Sequence, residues 1–290
     1  MASTTESVNT TAPDTQTATT NVTTKVTEYI TVLKDKFPTM SSSVERARDI
    51  ATEVSLDIQK SAENNNVNSP LPSDLVSQVQ KAAKVLASFT DPEKVEGGLD
   101  NVIPKDVFAN AKGIAIYTCI KAGFFWSGRV GSGLVVAKLP DGSWSSPSLI
   151  NIGGVGFGAQ LGADVTDFVI VLNTEDAVKA FCRGENITLG GNLAVSAGPV
   201  GFGHEYSGSL YEGAALFSYS KSKGLFAGVS VEGTIIIERK DANQTFYGKE
   251  ISAEEILSGK TEVILSDKTK EPNISVLYET IKKAEERATH

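Results

Sequence analysis

Apolar residues first recur at helical spacing just after Lys25, where Val26, Ile30, Leu33 and Phe37 share a face and Pro38 ends the run. A second helix opens at Ser42, with Glu45 three residues on in the capping-box arrangement, and carries Val44, Ala47, Ala51, Val54 and Ile58 on one side. A third follows Pro70-Leu71-Pro72. Ser73 is its expected N-cap, and Leu75, Val79, Ala82, Leu86 and Phe89 form its apolar stripe up to Asp91-Pro92.

Beyond residue 110 the period changes from helix to strand. Gly113 to Ile120 reads as a buried strand, and Leu134 to Leu139 faces Ser143-Trp144 across an Asp141-Gly142 turn. Thr166 to Asn173 and Leu225 to Ile237 read as further strands, the latter half-buried. Thr174 opens a helix that runs to Gly184, Ser252 to Leu257 is a short helix, and Ile274, Leu277, Tyr278 and Ile281 mark a last amphipathic one. Glycines recur two apart at Gly131 and Gly133, at Gly154, Gly156 and Gly158, and at Gly201 and Gly203. In a strand that period puts them on one face, which suits a tightly curved sheet or the close approach of another backbone.

The expected fold is therefore α+β: a curved antiparallel β-sheet or small β-barrel with amphipathic helices at its N- and C-terminal ends. Residues 1–24, rich in Thr, Ser and Asn, read as a disordered tail; 25–63 as a helical extension; 64–260 as the main domain; and 261–290 as a helical C-terminal tail.

Composition narrows the function. The net charge is -8 and the pI about 5.0, so nucleic acid is not the expected partner, and any anionic ligand must be held by a local basic cluster. The N-terminus lacks the apolar core of a signal peptide and no run is long enough to span a bilayer, so the expected location is the cytoplasm. The Asn-x-Ser/Thr sequons at Asn9, Asn21, Asn186, Asn243 and Asn273 are then incidental. Cys119 and Cys182 lie far apart, and His204 and His290 are the only histidines, so neither a metal site nor a cofactor is expected.

Gly156 to Gly162 has one residue too many for a dinucleotide fingerprint and runs into strand rather than helix. His204, flanked by Glu205, has no nucleophile motif to serve, and Glu254 and Glu255 lie on a surface helix. No catalytic residue is assigned and an enzyme is not expected.

Charge is distributed unevenly. Between Val107 and Pro140 stand Lys112, Lys121, Arg129 and Lys138 and not one carboxylate. Within that stretch Phe124-Phe125-Trp126 lies between Lys121 and Arg129, an arrangement suited to phosphate pairing beside an interfacial aromatic. Lys81 and Lys84 share a face of the third helix. Lys81, Lys84, Lys121, Trp126 and Arg129 are the candidate lipid- or partner-binding residues, expected to contribute to one anionic-ligand surface.

Many ordered blocks resemble one family, the SYLF domain. They are Asn68-Ser69-Pro70-Leu71-Pro72-Ser73, Lys81 to Leu86, Ala111-Lys112-Gly113-Ile114-Ala115, Lys121 to Phe124, Trp126 to Arg129, Leu139 to Trp144, Gly153 to Gly158, Thr166 to Val169, Tyr219 to Gly228 and Phe246-Tyr247-Gly248. The likeness covers about residues 64–260. It implies phosphoinositide binding, a tie to actin filaments and endocytosis, and peripheral placement at membranes or cortical actin sites. Many members bind WASP-type actin regulators through a C-terminal SH3 domain; this sequence reads as lacking one, and has Val76 and Gln80 where members often carry further lysines. The resemblance implies a non-enzymatic phosphoinositide-binding adaptor; the alternative is an actin-filament binder or bundler that acts without lipid.

Overall fold

The computed structural model describes residues 68–95, 102–182, 187–188, 195–197, 214–260 and 271–287, all within the unit Asp57–His290. The side chains of 124–126, 159–161, 187–188, 195–197, 224–233 and 271–273 lie outside the description. So do the two helices expected between 25 and 62, and His204.

Three strands dominate: β1 (Gly113–Ala137), β2 (Ser148–Leu172) and, after the short β3 (Ile187–Thr188) and β4 (Val195–Ala197), β5 (Leu216–Glu238). Among the described residues the sheet order is β1-β2-β5-β3, and β4 pairs with β5 in parallel. The long pairings are antiparallel, running from Gly113↔Leu172 to Val135↔Ser148 and from Ile150↔Glu238 to Leu172↔Leu216.

A straight strand of 25 residues would span ~80 Å, while a domain of this size is only roughly 45 Å across. The strands must fold over. They do so where β1 slips register between Phe124 and Trp126, and the two halves of β1 come back together. A Cβ on Gly131 would lie 2.4 Å from the Thr118 carbonyl oxygen, and one on Gly133 would lie 2.2 Å from that of Ile116. At the open end the Lys138 N–H donates to the Lys112 carbonyl at 2.9 Å. The glycine spacing thus marks the place where backbone meets backbone. The sheet is curled but not closed, which fits the curved antiparallel sheet of the sequence reading rather than its alternative, a small barrel.

Alternation along the curled strands makes two cores. Ala115, Tyr117, Cys119, Val135, Ile152, Ile170, Leu172, Leu216 and Ile236 pack inside the curl. Ile114, Ile116, Leu134, Val136, Leu149, Val169, Val171, Phe217 and Tyr219 face outward under the helices. Because both faces are buried at the open end, the strands there read as continuous apolar runs rather than as alternation.

The outer core is covered by α1 (Leu75–Thr90), α2 (Lys105–Asn110), α4 (Lys240–Tyr247) and α6 (Glu271–Glu286), α3 (Glu175–Cys182) lies along the inner one, and α5 (Ala253–Leu257) gives Ile256 to the outer core and Leu257 to the inner. The α1 N-cap is Asp74, whose carboxylate accepts from the Ser77 N–H at 3.0 Å; it corrects the expected Ser73 by one residue. Ser73 instead offers its carbonyl to Arg239 at 2.7 Å. Ser252 and Glu255 form a full capping box on α5.

The expected turn is present. Gly142 has φ 86, and the Leu139 N–H donates to the Ser143 carbonyl. However, pairing beyond it is limited to a single Lys138↔Trp144 bridge, and β2 starts only at Ser148.

Although residues 261–290 read as a tail, α6 supplies Ile274, Leu277, Ile281 and Ala284 to the outer core. The Tyr278 hydroxyl donates to the Ser145 carbonyl at 2.8 Å, and Lys138 pairs with Glu285 at 2.9 Å. Arg287 donates to the Thr90 and Ile103 carbonyls, tying α6 to the end of α1.

Candidate basic and apolar surface

The Asn68–Ser73 block lies across the outer face as a strap, and its carbonyls are taken up one by one. Lys81 Nζ donates to Ser69 O at 3.0 Å, Ser132 Oγ to Leu71 O at 2.8 Å, and Gln78 Nε2 to Ser132 Oγ at 2.8 Å. Asn68 donates to Asp167 at 2.7 Å, and the same carboxylate accepts from Thr118 at 2.6 Å. Two prolines leave few N–H donors in the strap, so side chains of α1 and the sheet must supply the partners.

Lys81 therefore turns inward. The residue is half-buried, and its ammonium lies against Ser69 and Ser132. Burial pulls its pKa down to about 7, opposed in part by the nearby Asp167 carboxylate and reinforced by Arg239. Lys84, by contrast, is exposed.

One turn beyond Lys84, the Ser88 carbonyl accepts from Lys221 Nζ, whose ammonium sits 5.0 Å from the Phe89 ring centroid. Lys223, two residues along the same face of β5, is exposed. Helix α1 and strand β5, far apart in sequence, thus place Lys84, Lys221 and Lys223 on one side of the molecule. The sequence reading passed over both β5 lysines. Their signal was a Lys-Ser-Lys alternation, which puts two bases on one face of a strand.

Lys121 and Arg129 belong to the other face. Both share strand parity with Tyr117, Cys119 and Val135 of the inner core. Lys121 is buried and stands opposite Asp164 in the ladder. The Arg129 guanidinium lies 5.8 Å from the Phe168 ring centroid, with Nη1 3.4 Å from Thr234 Oγ1. Asp164 accepts from Thr166 at 2.5 Å and from Ser222 at 2.7 Å. The inner face near the fold-over is therefore polar and charged. Tyr117, stacked on Phe168 with centroids 4.8 Å apart, has its hydroxyl pKa pushed up by burial.

The five expected residues thus divide. Lys81 and Lys84 lie over the outer face, while Lys121 and Arg129 lie within the curl. Trp126 stands opposite Phe157 at the fold-over, its side chain outside the description. Phe157 and Val155, which the sequence reading did not single out, are 56% and 45% exposed. Their signal was the alternation with Gly154, Gly156 and Gly158, which puts the glycines inside and these two outside.

Among the described residues no group of three or more His, Cys, Asp or Glu could hold a metal ion, and no helix is long and apolar enough to cross a membrane.

Residues 153–284 match the family model Ysc84, described as "Las17-binding protein actin regulator". The "LAS seventeen-binding protein 3" of Saccharomyces cerevisiae is 57% identical over 196 residues, which cover 67% of this chain and 42% of that protein. The "SH3 domain-containing YSC84-like protein 1" of Homo sapiens is 52% identical over 195 residues, 67% of this chain and 57% of its own. The "SH3 domain-containing protein PJ696.02" of Schizosaccharomyces pombe is 53% identical over 196 residues, 67% of this chain and 45% of its own. The chain thus spans about half the length of these relatives. No solved structure gives a significant match.

Proposed function

The chain belongs to the Ysc84 family, the family of the SYLF domain, and on that premise we propose that it is a non-enzymatic adaptor that binds phosphoinositide-containing membranes and links them to the actin machinery. Its partners on this reading are anionic lipid, actin filaments and Las17, a WASP-type actin regulator. Its place is peripheral, at membranes or cortical actin sites.

The observation that carries the lipid half is that Lys221 reaches α1 at Ser88, with exposed Lys84 one turn back on α1 and exposed Lys223 two residues on along the same face of β5, in a chain of net charge -8. An acidic protein repels an anionic bilayer at long range, so attraction must come from such a local cluster. Lys84 and Lys223 are its solvent-side members. Lys121 and Arg129 back the fold-over from within, and Lys81 holds the strap.

Each exposed base near an anionic surface contributes ~1 kcal/mol. A Lys84→Gln/Lys223→Gln variant therefore loses up to ~2 kcal/mol, about thirtyfold in affinity, and less as salt rises. Flotation with vesicles of phosphatidylcholine plus a phosphoinositide measures the loss. Parent-like binding by a folded double variant would remove this surface from the account.

The second reading, filament binding without lipid, rests on the family's description as an actin regulator. Co-sedimentation with actin in the absence of lipid, together with no retention on phosphoinositide vesicles, favours it.

A further inference from the structure

The fold-over of the sheet has its polarity reversed. An antiparallel sheet with one face free normally turns its polar side chains to water. Here the inner face near the bend holds Ser127, Arg129, Asp164, Thr166, Ser222 and Thr234; Arg129 contacts Thr234, and Asp164 accepts from Thr166 and Ser222.

The outer positions are almost wholly apolar. On β2 they run Val155, Phe157, Ala159, Leu161 and Ala163. Trp126 of β1 and Val231 of β5 stand opposite Phe157 in the ladder, and Gly128 and Gly233 stand opposite Val155. Val130 and Ile235 continue the outer face on either side of Gly153.

Only three large apolar side chains are exposed among the described residues: Val155, Phe157 and Val276. Two of them lie here, one strand period apart. Apolar outward and polar inward is the arrangement of strands that face lipid rather than water, and a contiguous exposed apolar patch marks a contact surface.

Charge decides what the surface meets. The strand segments 120–130, 153–165 and 221–235 carry four bases, Lys121, Arg129, Lys221 and Lys223, against two carboxylates, Asp164 and Glu232. No carboxylate stands at an outer-face position within them. In a chain of net charge -8, this end is the one suited to a negatively charged surface. We infer that the outer face of the sheet's fold-over, centred on Phe157 and Val155, is a membrane-insertion tip that enters the interfacial layer of an anionic bilayer.

This rests on the membrane reading above and names the apolar contact that the basic cluster alone does not supply. A phenyl ring at the tip enters the headgroup–acyl boundary, and a tryptophan at the neighbouring register position is the residue type that favours that boundary. Phosphoinositide selectivity stays with the bases. The tip responds to any anionic bilayer.

The test uses the full chain with vesicles of phosphatidylcholine and phosphatidylserine, with and without a phosphoinositide. A Phe157→Ser/Val155→Ser variant changes exposed side chains and is expected to melt as the parent does, yet to partition at least tenfold more weakly onto both anionic compositions. Since the chain has two tryptophans, Trp126 and Trp144, a Trp144→Phe background reports on Trp126 alone. Lipids brominated near the glycerol are expected to quench its fluorescence. The quenching also decides the matter if the serine variant fails to fold. Unchanged partitioning, or a bound protein without quenching, overturns the insertion tip while leaving membrane binding standing. A parent chain that binds none of these vesicles overturns the membrane reading and the tip with it. Self-association of the parent that the serine variant abolishes would assign the face to a second copy, and overturns the inference too.

Discussion

Lys81 offers a direct reading of the strap in stability. Its pKa falls from 10.5 to about 7 because folding buries the ammonium, and Asp167 offsets only part of that cost. The folded pKa lies below the unfolded one, so between these values the unfolded chain holds a proton that the folded chain has released. Stability must then rise with pH, reaching its full value above the unfolded pKa and falling as pH drops toward 7. The whole interval corresponds to at most ~5 kcal/mol, at 1.36 kcal/mol per unit, and the portion between pH 7 and pH 9 to about 2 kcal/mol. Cys182, whose thiol pKa burial raises above 9.0, acts in the opposite direction only toward the top of that range. Urea unfolding at pH 7, 8 and 9 under reducing conditions measures the slope. Lys81→Met keeps the stem and removes the titration, so its stability should be nearly independent of pH over the same range. At pH 7 it gains relief from desolvation but takes a donor away from the Ser69 and Ser132 carbonyls. The change of slope is therefore the diagnostic, not the absolute stability. A parent whose stability is flat from pH 7 to 9, or a Lys81→Met variant with the same slope, would refute the buried ammonium.

Two further substitutions probe the frame that carries the surface. Gly133→Ala places a Cβ 2.2 Å from the Ile116 carbonyl oxygen and 2.4 Å from Tyr117 Cβ, and the backbone of Ile116–Tyr117 has little room to yield. A loss of ~1–3 kcal/mol or more, read as a fall in Tm, is expected, while Gly128→Ala, which meets nothing within 4 Å, should cost under ~1 kcal/mol; equal melts would speak against the fold-over. Leu277→Ala on α6 removes a fully buried side chain from the outer core and is expected to cost ~2–5 kcal/mol by urea unfolding, whereas a change below ~0.5 kcal/mol would show that α6 is not integral.

The curl was legible because Gly131 and Gly133 sit where no side chain fits, and that need is written directly as a two-residue glycine period. The continuity of the strands was not. Gly113 to Ile120 and Leu134 to Leu139 read as separate elements, since burial on both faces turns alternation into an apolar run and the glycines between them look like breaks. Residues 105–110 and 240–247 form helices too short and too polar to show a stripe, and they take their place from contacts distant in sequence. Asn243, for example, is fully buried and accepts from the Leu149 N–H at 2.9 Å.

Among the site residues, a lysine on a helix reads as a surface charge by default. Nothing local tells that the strap's carbonyls recruit Lys81 inward. The placement of Lys121 and Arg129 within the curl depends on which face of β1 is enclosed, and only the fold-over decides that. For the same reason Val155 and Phe157 were not singled out. Their alternation was visible, but the direction in which it pointed was not.

An adaptor must hold membrane and filament at once, so bridging is the most direct measure. Phosphoinositide vesicles and preformed actin filaments, spun on a density gradient with the purified chain, should yield filaments in the floating lipid layer. The floating fraction should rise with chain concentration and fall with the Lys84→Gln/Lys223→Gln variant. Vesicles and filaments that separate completely, at chain concentrations where each is bound alone, would contradict the adaptor account.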